Sequence, residues 1–358
     1  MSKFSRINPS SAPIMASSIA LGFIAICLLV FVLHEGRAIL IPFVIAVFVW
    51  YLINAIARGI SLIPTIGPMI PRFGRFAMAI FALCALLTGI GVLISRNIAD
   101  VMQAAPHYQE NFQPIIQRVM VWFNLSHQPT FEEIKSYLDL GKIITVLAQS
   151  FTGIAGKILV VFFYTGFLLY EQKYFNRKII NMISDQSTED HVRAIIHKID
   201  VRIQRYIGIK SFVSAIDSVL TYLILSYFKV DFAEFWGLMA FFLHFIPYAG
   251  SFIALTLPSA IALIQFGDPT VFAMVLGCLC LSHAFLGHVL DPYLMGNNLN
   301  LSPIFIISSL AMWGMVWGIP GMFLAVPILA IITISLSQFP STRSIAILLS
   351  KTGVLRDR

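Results

Sequence analysis

Along the chain, apolar residues gather into blocks of about 20 residues with short polar stretches between them: 14–33, 38–57, 76–95, 151–170, 207–228 and 270–290. A helix rising about 1.5 Å per residue needs that length to cross a hydrocarbon core of roughly 30 Å. Each block therefore predicts a full span. Two further apolar regions are interrupted. Residues 235–267 are cut by Pro247-Tyr248-Ala249-Gly250, and residues 302–339 by Gly318-Ile319-Pro320-Gly321. The resulting pieces, about 12 and 16 residues in the first region and about 15 and 18 in the second, are short for a crossing. Proline lacks the N–H that a helix interior needs and glycine permits a sharp turn, so both breaks predict a reversal. The expected fold is all-α: a polytopic helical membrane protein with six full spans and two Pro/Gly-broken hairpins that either cross twice or dip and return.

The polar stretches add a periphery to this frame. Residues 96–150 carry mixed charge, Pro106, Pro114 and Pro129, and a Thr130 followed by Glu132 and Glu133 that suits a helix start. They predict a helical excursion outside the bilayer. In the segment 172–206, Val192, Ile195, Ile196, Ile199, Ile203 and Tyr206 share one helical face, with Arg193, Lys198, Arg202 and Arg205 on the other. An amphipathic helix follows, either lying on the membrane surface or packed on the protein's own cytoplasmic end. No linker or low-complexity run divides residues 1–358, which read as a single membrane domain.

Composition agrees, since 58% of residues are hydrophobic, 11% are charged, and the mean hydropathy is +0.85. A soluble domain of this size could not hide so much apolar surface. The net charge of +7 is explained by topology rather than nucleic acid. Lys3 and Arg6 precede the first block, Arg58, Arg72 and Arg75 follow the second, eight basic residues lie between Lys173 and Lys210, and Arg343, Lys351, Arg356 and Arg358 occupy the tail. The opposite side receives Arg37, Arg96, Arg118, Lys135, Lys142 and Lys229. Both termini are thus expected in the cytoplasm. The run 14–33 is too long for the core of a secretory signal and reads as a first span. Cys27, Cys84, Cys278 and Cys280 lie in apolar segments without metal or disulfide spacing and are expected to be small core residues. No cofactor, metal site, HExxH helix or phosphate loop is expected, and no enzyme.

Two acids stand out. Asp217 lies near the middle of its span, where a charge costs on the order of 2.5–3.5 kcal/mol, so it should face a cavity, a proton or a cationic partner. Lys210, on the same helix, and Lys157 are the basic candidates. Asp291 sits at the end of the block 270–290. His244, His283 and His288 lack metal-binding spacing and are expected to be packed or interfacial. As an intramembrane protease pair, Asp217 and Asp291 stand in the wrong contexts, "AIDS" and "VLDP".

Three stretches, "FFLHFIPYAGSFIA", "LDPYLMGNNLNLSP" and "WGIPGMFLAVPILAI", occur in the order and spacing of a known family. Pro247 and Gly250 match its Pro-x-x-Gly, Pro292, Gly296, Leu301 and Pro303 its central motif, and Gly318, Gly321, Ala325 and Pro327 its last one. With these motifs and Pro320 at the second break, the chain resembles the autoinducer-2 exporter family of bacterial membrane proteins. The resemblance implies a permease or exporter of small polar solutes in the inner membrane, assembled as a homo-oligomer such as a pentamer. Residues 235–339 would be its transport region, with Asp217, Asp291, Asn297 and Asn298 on the solute pathway. Some members exchange sodium for protons, so cation/proton antiport is an alternative, and a structural membrane protein without transport a lesser one.

The charge distribution predicts that single cysteines replacing Ser126 and Ser187 will label differently in intact cells. Ser126→Cys should react with a membrane-impermeant maleimide and Ser187→Cys should not; the reverse pattern inverts the topology.

Overall fold

The computed structural model describes residues 12–64, 67–89, 91–93, 158–182, 185–296 and 299–354. The expected excursion 96–150, the first part of the fourth block, and the pair Asn297 and Asn298 lie outside the described residues. Among those described, the architecture is all-α. The helices are α1 (Ala12–Glu35), α2 (Arg37–Ser61), α3 (Arg72–Leu93), α4 (Ile158–Met182), α5 (Gln186–Tyr227), α6 (Ala233–Leu243), α7 (Ala249–Phe266), α8 (Pro269–Met295), α9 (Pro303–Trp317), α10 (Ile319–Ser337) and α11 (Arg343–Leu349).

Six of these, α2, α3, α5, α7, α8 and α10, are long and apolar enough to cross a membrane. The set overlaps the expected six without matching it, because the second arm of each broken pair, α7 or α10, reaches 18 or 19 residues. The first arms stay short: α6 has 11 residues and α9 has 15, about 17 and 23 Å of helix. Outward faces carry Phe162, Phe163, Phe167, Phe212, Val219, Leu223, Leu281 and Phe285, all exposed. So continuous an apolar surface requires lipid around it. Cys27, Cys84 and Cys280 lie on this exposed face rather than in the core. Inside lipid a small thiol costs nothing to expose, so burial is not demanded of it.

The helix α5 organises the bundle. Its 42 residues span about 63 Å, twice the hydrocarbon thickness, so its first half projects beyond the bilayer. Asp185 caps the start, accepting from Thr188 N at 3.0 Å. The projecting half is continuous with the membrane helix, and the lower part of its apolar face packs on the protein: Ile199, Ile203, Tyr206 and Ile207 join Leu301, Val326, Leu329 and Leu349. At the other end α6 turns back along α5. Their approach depends on Gly237, where a Cβ would come within 2.9 Å of Tyr222 Cβ and 3.0 Å of Ser218 O. Between helices in lipid, such close contact takes the place of the hydrophobic drive. Leu225, Trp236, Met239, Ala262, Val275 and Leu279 then pack α5 to α8 into one cluster. On the far flank, Trp50 Nε1 donates to Gln172 Oε1 at 3.0 Å and Gln172 Nε2 to Asn54 Oδ1 at 3.2 Å, clasping α2 to α4.

Both reversals exist, and each is tighter than the sequence suggests. At the first, Ala249 N donates to Pro247 O at 2.7 Å across Tyr248, whose angles of φ 61° and ψ −61° are those of a rare, strained γ-turn. At the second, Gly318 alone separates α9 from α10, with φ 66° and ψ −143°, while Pro320 already lies in the first turn of α10. Gly250 and Gly321 are needed for proximity rather than for special backbone angles. A Cβ at Gly250 would meet Leu243 O at 1.8 Å, and one at Gly321 would meet Trp313 O at 2.0 Å. The tips are anchored from outside the hairpins: Trp317 Nε1 donates to Leu33 O at 3.0 Å, and Phe48, Phe245 and Phe323 form an aromatic cluster that joins the two hairpins to α2.

Alanine at Gly250 or Gly321 should therefore lower the melting temperature of the detergent-purified protein by several degrees and impair flux. Gly277→Ala, with nothing within 4 Å of the added atom, should hold or raise it. Equal melting of all the variants would show that the tips can open freely.

Candidate functional site

A buried polar seam runs along α5. Ser214, Asp217 and Thr221 recur at helical spacing on one face and are fully buried, with Ser211 just below them. The hydroxyls of Ser211, Ser214 and Thr221 have no hydrogen-bond partner. From Ser211 to Thr221 the seam rises about 15 Å, half a hydrocarbon core.

At its centre Asp217 meets two histidines. His244, just past the end of α6, places Nδ1 at 3.2 Å from Asp217 Oδ2, and His283 of α8 places Nδ1 at 3.4 Å from Oδ1. His244 also reaches down, with Nε2 at 3.6 Å from Asp291 Oδ2. Asp291 in turn accepts from Lys210 Nζ at 2.9 Å. The Lys210 contact is an aligned hydrogen bond, whereas both Asp217 oxygens and all four histidine nitrogens lack an aligned partner. Five ionisable side chains from three segments thus form one chain across the core, held by charge and proximity more than by directed bonds.

The sequence separates these residues by up to 81 positions, and local structure brings them to one place. Because α6 runs back along α5, His244 returns to the level of Asp217. In α8, His283 and Asp291 are eight apart, which leaves them about 80° out of line on a regular helix. Residues Leu286–Leu290 form a π turn, in which Asp291 N bonds to Leu286 O. The extra residue in that turn brings the offset to about 20°, so both side chains face α5.

This geometry changes several expectations. Lys210 partners Asp291 and not Asp217, because seven residues along the helix carry it about 10 Å away; Lys157 lies outside the described residues. Asp291 belongs to a helix that continues to Met295, rather than to an irregular connection. His244 and His283 are packed, as expected, but against an acid; His288 is exposed. No spacing in the sequence marks these histidines as partners of Asp217. The remaining motif positions shape the backbone: Gly296 ends α8 at φ 53°, Pro303 opens α9, Pro292 opens the last turn of α8, and Pro327 is buried inside α10.

A lipid-facing helical bundle with two short-armed hairpins around a buried polar seam defines an integral membrane transporter. The sequence pattern of the family described as "AI-2E family transporter" matches residues 21–341. The AI-2 transport protein TqsA of Escherichia coli (strain K12) is 27% identical over 317 residues, covering 87% of this chain and 89% of the relative. A protein of Haemophilus influenzae named "Putative transport protein" is 25% identical over 339 residues, covering 92% and 95%. The chain belongs to the AI-2E transporter family, a bacterial group of multi-pass membrane proteins.

Replacing one member of a buried ion pair strands the other at about 3–5 kcal/mol. Lys210→Met should therefore destabilise the protein markedly, and Lys210→Met with Asp291→Asn should recover most of the loss. Thermal unfolding in detergent measures both; a double variant no more stable than the single one would show that the pair does not act as a unit.

Proposed function

We propose that the protein exports small polar solutes across the bacterial inner membrane, with both termini in the cytoplasm, as a homo-oligomer and without covalent chemistry. The observation that carries this reading is the seam on α5. Unpartnered hydroxyls at Ser211, Ser214 and Thr221 beside Asp217 are costly in a purely structural core, since each buried polar group without a partner forfeits its hydration. They are serviceable where a polar solute completes them.

The hairpins support the same reading. Irregular backbone at membrane depth is tolerated where it is buried in protein or lines a polar path, and interrupted helices meeting near the midplane are the usual frame of a transporter site. The aromatic cluster of Phe48, Phe245 and Phe323 joins both tips, so a tilt of one hairpin is felt by the other. Asp291, with Asn297 and Asn298, would receive the solute at the cytoplasmic end. The placement of Lys and Arg supports the orientation. The relative named for AI-2 transport supports a solute as cargo; the oligomer rests on family resemblance.

Purified protein in liposomes, screened against small polar solutes, should accumulate or release at least one. Ser214→Ala and Thr221→Val, which remove a hydroxyl each, should lower that flux by about 2- to 10-fold while holding or raising thermal stability. Wild-type flux in both variants would take the solute path off this seam.

A further inference from the structure

The cluster at the centre of the seam has a charge balance of its own. Lys210 and Asp291, hydrogen-bonded at 2.9 Å, form a neutral pair. Asp217 has no such fixed cation; its neighbours at 3.2 and 3.4 Å are imidazoles. With one proton among Asp217, His244 and His283, the three groups are neutral, whether the proton sits on the carboxyl or makes one histidine an imidazolium. With none they carry a full negative charge, and with two a full positive one. Either charge is strongly disfavoured at the middle of a membrane helix.

Among the described residues, no other charged side chain is placed to change this count. The helices α7, α9 and α10 contain none, α2 has Arg37 and Arg58 near its two ends, and α6 has Glu234 at the opposite end from His244. On α8, His288 is exposed. On α5, Lys210 is occupied by Asp291, and Tyr206 lies below, on Asp291's side. The proton is the charge that the closed site is short of.

We propose that Asp217, His244 and His283 form a single-proton binding site, with Asp291 and Lys210 as its relay, and that movement of this proton through His244 drives the first hairpin during transport. The ring of His244 spans the two acids, Nδ1 toward Asp217 and Nε2 toward Asp291. A proton leaving Asp217 Oδ2 binds His244 Nδ1, and the proton on Nε2 passes to Asp291 Oδ2. Only O–H and N–H bonds change. The summed charge of the five groups stays at zero throughout: the Lys210–Asp291 ion pair is exchanged for a charged Lys210 and an ionised Asp217 about 10 Å apart along α5, a separated and less stable state that the relay passes through. His244 adjoins the strained γ-turn at Tyr248, so its change of partner acts directly on the hairpin tip. Asp217 Oδ2 and both nitrogens of His244, which lack an aligned partner in the resting cluster, are sites this transfer uses, and Asp291 Oδ2, held by Lys210, receives the proton at its end.

The driving role rests on the solute-transport reading; the proton site does not, and two measurements separate them. Infrared difference spectra of the full-length purified protein between acidic and alkaline buffer should contain a carboxyl or imidazole titration that disappears in Asp217→Asn and shifts in His244→Gln and His283→Gln. A spectrum of Asp217→Asn that superimposes on wild type overturns the site. Should Asp217→Asn fail to fold, the histidine variants decide, and an unshifted titration in both overturns it. In liposomes, an imposed pH gradient should raise the initial flux of a transported solute several-fold in wild type and leave Asp217→Asn unaffected. Flux indifferent to the gradient in wild type overturns the coupling while leaving solute export standing. A titration that depends on Asp217 without any transported solute upholds the proton site and removes the export reading.

Discussion

A carboxyl group in the middle of a membrane helix must be neutralised from outside that helix, and in this protein Asp217 draws on two other segments for it. That one requirement sets much of the arrangement around it. The helix α6 has to run back along α5 for half the membrane and stop there, so that His244 arrives at the level of the acid. The helix α8 has to pass on the other side with His283 and Asp291 in line. The lysine one step below is then held by Asp291, and the five groups share their charges.

The stopping of a helix at half depth creates its own demand, since the freed backbone groups find no water in lipid. Here the tips answer it with close backbone approach. Gly250 against Leu243 O and Gly321 against Trp313 O leave no room for a side chain, and Trp317 reaches over to the carbonyl of Leu33. The first tip stores strain at Tyr248, whereas the second turns on a glycine that holds its backbone angles without penalty. The two hairpins are thus alike in their glycine contacts and unlike in their stiffness. Phe245 and Phe323 stack across the gap between them, giving the strained hairpin a mechanical route to the relaxed one.

Much of this frame was legible in the linear pattern. The apolar blocks located the spans, and Pro and Gly located both reversals to within a few residues, because length and backbone permissiveness are properties of the chain itself. Asp217 was legible too, as an acid where acids are expensive. What it faces was not. His244 stands in "FFLHFIPYAG", where nothing distinguishes it from a packed ring, and Lys210 looked like the nearer partner because helical distance along one segment is all that a sequence displays. Gly250 and Gly321 were legible as necessary but for another reason: their backbone angles are ordinary helical ones, and a carbonyl from the opposite arm is what excludes a side chain.

The amino-acid sequence by itself determined that this chain lives in a membrane, where its helices begin and break, and which acid would be hardest to bury. Hydrophobic length, proline and glycine act locally, so their consequences can be read residue by residue. Only the tertiary structure decided the company that acid keeps. The antiparallel return of α6 converts a separation of 27 positions into 3.2 Å between Asp217 and His244. The π turn in α8 rotates Asp291 onto the face of His283, a change of one hydrogen-bond register that no residue type there announces. Charge neutrality inside lipid is a property of the whole cluster, so it could be settled only once all five side chains had been brought together.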